Sequence, residues 1–314
     1  MKILYLTPED DLQKAFSGLK GPAEIRLAKG VYRQKTEICA DNVTVYGEDR
    51  ETTVLSYGDY AKKIHADGKE YNTFRTYTLC VTGNNVRLYN LTVENTNTQP
   101  EKVGQCVALS VHGDNFYAEN INLKSTQDTL FLSPFPDDLV VRYRGFIPRR
   151  QLYREGANVH FFNRCNIYGT VDYVFGCSEA YFKSCRFVSV HDERGVGYVA
   201  APAHSLGEKR AFSFIDCDFT DGGAGKENVY LARPWRDFGK CSFINCRLDG
   251  HIAPALFDKW NDTERDKTAR FAYYNLKCNF KASPVGWSAE LTAEQANDII
   301  NACECKFNDI KGNF

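Results

Sequence analysis

Apolar and polar residues alternate in short runs along this chain, as in Val43-Thr44-Val45 and Val86-Arg87-Leu88, which is the period of a strand with one buried face. Asn-, Asp- and Gly-rich stretches lie between the runs and supply turns. One pattern then recurs: Phe162-Asn163-Arg164-Cys165-Asn166-Ile167, Phe182-Lys183-Ser184-Cys185-Arg186-Phe187, Phe214-Ile215-Asp216-Cys217-Asp218-Phe219 and Phe243-Ile244-Asn245-Cys246-Arg247-Leu248 all read Phe-x-x-Cys-x-apolar. Earlier stretches around Asn90 and Asn120 are expected to keep the frame with Asn in place of Cys, at positions 90, 120, 165, 185, 217 and 246. Those intervals correspond to one or two turns of a solenoid.

The pattern predicts an all-β right-handed parallel β-helix, one domain over residues 1–314. Equivalent residues of successive turns would stack about 4.8 Å apart, forming ladders of small Cys and amide-bearing Asn side chains. Short helices are expected to cap both ends, because a bare terminal turn leaves strand and core uncovered. At the first, Thr7 is the predicted cap, Pro8 the first helical position, and Leu12, Ala15, Phe16 and Leu19 the apolar stripe. At the second, Thr292 and Gln295 form a capping box ahead of Ala296, Ile299, Ile300 and Cys303.

Composition narrows the class. Apolar residues make up 43% and charged residues 25%, which suits a folded protein with a substantial core. The 39 basic and 40 acidic side chains leave a net charge of −1, so general nucleic-acid binding is not expected. The apolar run Ile3-Leu4-Tyr5-Leu6 is too short for a signal-peptide core, and no segment reads as a membrane span. Twelve cysteines without an export signal read as reduced thiols, hence a cytoplasmic location, or a secreted one if a leader has been removed. No metal-ligand spacing stands out, since Cys303-Glu304-Cys305 has no partner pair, so no cofactor is expected.

Familiar catalytic signatures are missing: there is no G-x-S-x-G, no H-E-x-x-H, and Gly222-Gly223-Ala224-Gly225-Lys226 lacks the hydroxyl residue of a phosphate loop. Polarity concentrates instead in four segments: Gly104-Gln105-Cys106-Val107-Ala108-Leu109, Gln127-Asp128-Thr129-Leu130-Phe131, Asp172-Tyr173-Val174-Phe175-Gly176 and Leu231-Ala232-Arg233-Pro234-Trp235. Taken singly, each has a structural role open to it: an Asp caps a turn, a Gln joins an amide ladder, an Arg is a surface charge, an aromatic packs in the core. Together, with Gly30-Val31-Tyr32 upstream and Trp260 downstream, they resemble the pectin methylesterase family.

The resemblance departs at Gln34, where the family usually has Glu, at Ala232, where it has Gly, and in a longer interval between Asp128 and Asp172 than in plant members. It implies methyl-ester hydrolysis on pectin or methylated oligogalacturonides. Asp172 would be the nucleophile, kept ionised by Arg233, and Asp128 the general acid and base. Gln105 and Gln127 would donate to the oxyanion, while Trp235, Trp260, Phe131 and Tyr230 would line the sugar cleft. Three alternatives stay open on the residues alone: a polygalacturonase, a pectate lyase, or a non-catalytic pectin-binding solenoid. The segment from Ser133 to Arg154 is expected to project beside the cleft, with Arg142, Arg144, Arg149, Arg150 and Arg154 suited to galacturonate carboxylates.

Overall fold

The Phe-x-x-Cys repeat folds as a stack. In the computed structural model, which describes residues 1–153, 156–209 and 211–312, Phe162, Phe182, Phe214 and Phe243 are register partners on consecutive parallel strands. Their rings lie face to face at centroid separations of 4.9, 4.9 and 4.5 Å, close to the strand spacing itself. Each stacked pair adds roughly 0.5–1.5 kcal/mol beyond simple burial, so repeating one residue at one position of the turn stabilises every rung.

Three parallel sheets of eleven, nine and seven strands wind into a right-handed parallel β-helix. Each full turn contributes one strand to each sheet, so Val159–Asn163, Asn166–Gly169 and Val174–Gly176 make one rung. Inward positions are apolar, from Ile25 and Val45 through Leu88 and Ala118 to the phenylalanine stack, and form one continuous buried core.

The turn between the first two strands of a rung passes through a left-handed residue. Asn90, Asn120, Arg164, Ser184, Asp216 and Asn245 hold φ between 52° and 56° there. This corrects the expected frame by one residue. Asn90 and Asn120 are equivalent to Arg164, not Cys165, because Asn122 pairs with both Thr92 and Asn166. The thiols of Cys165, Cys185, Cys217 and Cys246 therefore stack on the row of Leu91 and Ile121, inside the core. The asparagines sit at the corner because Asn tolerates positive φ, and their amides bond from turn to turn, Asn120 Nδ2 donating to Asn90 Oδ1 at 2.8 Å.

Both predicted helices form, with changes. The first spans Leu12–Ser17, and its cap is Asp11, whose carboxylate accepts from the Lys14 amide. Thr7 is not the cap: its amide and hydroxyl both donate to Asp10, closing a turn that delays the helix past Pro8. Gln34 ties that helix down, accepting from the Leu12 amide at 2.8 Å and donating to the Asp10 carbonyl at 2.7 Å. An amide serves both bonds, which a carboxylate could not. The second helix, Ala293–Gly312, starts at the Thr292/Gln295 capping box, in which each residue's side chain accepts from the other's amide. Instead of covering the end, it runs back along the flank of the eleven-stranded sheet, over Tyr117, Phe161, Tyr181, Ile215 and Ile244. At the C-terminal end it is Trp287 that packs on Phe257 and Phe271. No helix among the described residues is long and apolar enough to cross a membrane.

Candidate active site

The seven-stranded sheet carries the candidate site on its outer face. Leu130 is the register partner of Val174, so Asp128 and Asp172, each two residues upstream, occupy one corner in consecutive turns. Both are left-handed there, with φ of 63° and 51°. That conformation supplies the bend needed for Gln127 and Asp128 to face one cleft, which adjacent residues of a regular strand would not do. A cavity of about 430 Å³ results, lined by Gln105, Gln127, Asp128, Asp172, Phe175, Arg233, Trp235 and Trp260, with Arg142 and Tyr143 overhanging it. Gln105, Gln127, Asp128, Asp172 and Arg233 therefore meet in this one place.

The two carboxylates are treated differently. Asp172 is clamped by Arg233 in a two-point ion pair, Nε to Oδ1 at 2.8 Å and Nη2 to Oδ2 at 2.7 Å. The guanidinium is itself held flat between Tyr198 and Trp260, 3.8 and 4.0 Å from their ring centroids. Burial works against the Arg233 charge, but the Asp172 carboxylate outweighs it and raises the Arg pKa. Asp128 has no such clamp. Burial first, and the neighbouring Asp172 charge second, push its pKa well above the usual carboxylate range, against the weaker pull of Arg233 and Arg194.

Two aromatic assignments change. Phe131 is fully buried, because the segment from Ser133 onward folds over it. Phe135, Leu139, Tyr143, Ile147 and Leu152 join Phe74, Phe131 and Phe175 in a second apolar cluster, with helices at Asp137–Arg142 and Arg149–Leu152. Phe175, one rung further on, reaches the cavity in its place. Tyr230 lies a rung beyond Tyr198, stacked on it at 5.6 Å, outside the cavity lining. Trp235 and Trp260 do line the cleft, Trp235 edge-on to Phe175. Ala232, the departure at the arginine motif, points into the core opposite Ala200 and leaves the cleft wall unchanged.

The cationic segment is also divided. Among its described arginines, only Arg142 lines the cavity. Arg150 pairs with the buried Glu37, Arg144 donates to the Tyr153 hydroxyl, and Arg149 lies over the Tyr153 ring. Asp138 binds Arg236 of the cleft wall instead of a local arginine, tying the segment to the far side. Arg154 lies outside the described residues.

Sequence reasoning missed Tyr198, Arg194 and Arg142's special place. Tyr198 was reachable once the register was known, since it is the next-turn equivalent of Asp172. Arg194, which donates to Gln127 Oε1 at 2.8 Å, sits in a loop without a recognisable motif.

Fold and cleft together define a class, a carbohydrate esterase built on a parallel β-helix. The pectinesterase family model matches residues 4–135 and 138–303, and the chain belongs to that family. It is 27% identical over 288 residues to pectinesterase QRT1 of Arabidopsis thaliana, covering 88% of this chain and 68% of that protein. Pectinesterase 31 of the same plant is also 27% identical, over 308 residues, covering 95% and 87%. Among solved structures, pectin methylesterase PemA from Erwinia chrysanthemi superimposes with a TM-score of 0.76 at 21% identity, covering 100% of this chain and 97% of that one. A pectin methylesterase in complex with hexasaccharide VII gives 0.77, also at 21% with the same coverage. At those identities the superpositions speak to the fold.

Proposed function

We propose that this protein hydrolyses methyl esters of galacturonate units in pectin or pectic oligosaccharides, with Asp172 as nucleophile and Asp128 as acid and base. The observation that carries the reading is the unequal treatment of two stacked carboxylates, one clamped by Arg233 and one buried without a clamp. Family membership supports the substrate class, and so does the hexasaccharide complex of the structural neighbour.

The chemistry balances as follows. A carboxylate oxygen of Asp172 attacks the ester carbonyl carbon, and the carbonyl electrons move to an oxyanion that Gln105 and Gln127 stabilise through amide N–H groups. Collapse breaks the bond to methoxide, which takes the proton of Asp128 and leaves as methanol. The enzyme now holds an anhydride. Asp128, ionised by that transfer, removes a proton from water; the resulting hydroxide attacks the galacturonyl carbon, and collapse returns Asp172 as a carboxylate. Asp128 recovers its proton for the next cycle. Arg233 holds the Asp172 carboxylate in place through their two-point ion pair, and Asp128's raised pKa keeps its proton available.

Incubation with methylated oligogalacturonide in EDTA should release methanol without new reducing or unsaturated ends. Reducing ends would indicate a glycosidase, and unsaturated ends a lyase. Gln105→Ala should lower kcat by roughly 10²–10³-fold, the usual effect of losing one oxyanion donor, and leave measurable turnover because Gln127 still donates. A change confined to KM would remove Gln105 from that role.

Arg142 extends the proposal to substrate charge. It is the exposed guanidinium of the Ser133 segment at the cavity rim, placed to meet a free galacturonate carboxylate beside the reacting unit. Arg142→Gln should raise KM for partly de-esterified oligomers several-fold more than for fully methylated ones, with the gap narrowing in added salt. Arg144→Gln and Arg150→Gln, whose partners lie elsewhere, should show no such difference. Equal effects on charged and neutral substrates would leave Arg142 without this role.

The working compartment we propose is a reducing one, the cytoplasm, on the support of Cys165, Cys185, Cys217 and Cys246, which are free thiols although stacked in adjacent turns. Titration of the purified, unfolded protein without reductant should count free thiols; few of them would argue for export.

A further inference from the structure

We propose that Arg194 is a positioning residue for the ester hydrolysis: it sets which end of the Gln127 amide faces the reacting carbonyl. The two ends of a glutamine amide have nearly the same shape and opposite function, since Oε1 accepts and Nε2 donates. A flipped amide would aim an oxygen at the developing oxyanion and repel it.

Arg194 removes the choice. Its Nη1 donates to Gln127 Oε1 at 2.8 Å. A guanidinium has donors only, so a flipped amide would meet it N–H against N–H, and the bond forms in one orientation alone. The guanidinium cannot turn away, because Asp192 holds it by a fork: Nε to Oδ1 at 2.8 Å and Nη2 to Oδ2 at 2.6 Å. The Arg194 amide also donates to Asp192 Oδ1 at 3.0 Å, so carboxylate and loop are fixed together. Asp192 is buried, so the carboxylate that holds the exposed Arg194 side chain is itself fixed in place. A charged donor on Oε1 further polarises the amide and strengthens the N–H groups at its far end.

This inference rests on the reading of Gln127 as an oxyanion donor, and the test separates the two. Steady-state kinetics on a fully methylated, uncharged oligogalacturonide would compare Arg194→Met, Arg194→Lys, Gln127→Ala and the double variant Arg194→Met/Gln127→Ala. Arg194→Met should lower kcat by about tenfold or more, bounded by the roughly 10²–10³-fold cost of losing the donor outright. KM should stay within about twofold, since the bound ester is little affected. Arg194→Lys keeps Asp192 paired but replaces the fork with a single ammonium, so it should melt like the parent and fall between parent and Arg194→Met. The double variant should be no slower than Gln127→Ala alone, because an amide that is absent cannot be misoriented.

Three results would overturn the proposal while leaving Gln127's role standing: normal kcat in Arg194→Met, a rise in KM alone, or effects of the two substitutions that multiply. Near-normal kcat in Gln127→Ala would instead overturn the donor role itself, and the positioning role with it. If Arg194→Met fails to fold, the same comparison with Arg194→Lys in the parent and Gln127→Ala backgrounds decides.

Discussion

Asp172→Asn is expected to lower the kcat for methanol release by about 10⁴-fold or more, the scale on which loss of a nucleophile acts, with the β-helix intact. Asn is the informative replacement on structural grounds. Position 172 is left-handed at φ 51°, a conformation Asn tolerates and most residues do not. The amide oxygen also remains as an acceptor for one arm of Arg233, whose guanidinium stays sandwiched between Tyr198 and Trp260. The cost to stability should therefore be a fraction of the 3–5 kcal/mol or so expected when a buried charge loses its partner entirely. Circular dichroism, a thermal melt and methanol release on the same preparation would check this. Turnover within about tenfold of the parent would end the proposed mechanism.

Asp128→Asn should be nearly as damaging to turnover and, at neutral pH, should make the protein more stable. Burial and the Asp172 charge raise the Asp128 pKa in the folded state above its unfolded value of about 3.9. The stability that goes with the neutral carboxyl is fully present below about pH 3.9 and is lost as pH rises from there through the raised folded pKa. Asn has no proton to lose and escapes that loss. The melting temperature of the variant should thus pull ahead of the parent's as pH rises above about 4 and level off once the parent's Asp128 has titrated. Each kcal/mol of difference should appear as roughly 2–4 °C. In the parent, kcat should fall on the alkaline side as Asp128 loses the proton it gives to methoxide. Parallel melting curves for the two proteins would mean that the Asp128 pKa is not raised.

On the proposed mechanism, stability is traded for activity in one corner of the solenoid. Asp128 and Asp172 are stacked like residues, left-handed, buried, and close in charge, each of which is unfavourable by itself. The surrounding ladders of Phe and of Asn show what the same geometry does where no chemistry is asked of it: identical neutral side chains one rung apart attract.

Much of this was legible in the chain itself. A solenoid writes its period into the sequence, because each turn presents the same environment to the same position and selects the same residue type; hence the Phe-x-x-Cys repeat and the ring stack it forms. Short-range chemistry was equally readable: the Thr292/Gln295 box closes over three residues and needs no information from elsewhere. The four polar segments named the residues that meet in the cleft. What the chain alone left undecided depended on how turns of unequal length come into register. A shift of one residue separates the asparagine corner from the thiol row, and the repeat pattern tolerates either alignment until strand pairing is seen. Phe131 became core because the excursion that starts at Ser133 folds back over it, and the arginines of that excursion part ways: Arg150 reaches Glu37 across 113 residues, while Arg144 and Arg149 turn to Tyr153 within the excursion itself. Arg233 meets Asp172 across 61 residues and Arg194 meets Gln127 across 67. Contacts at such separations are set by how many residues each turn and excursion consumes, a quantity that local patterning does not encode, and so tertiary packing decided them.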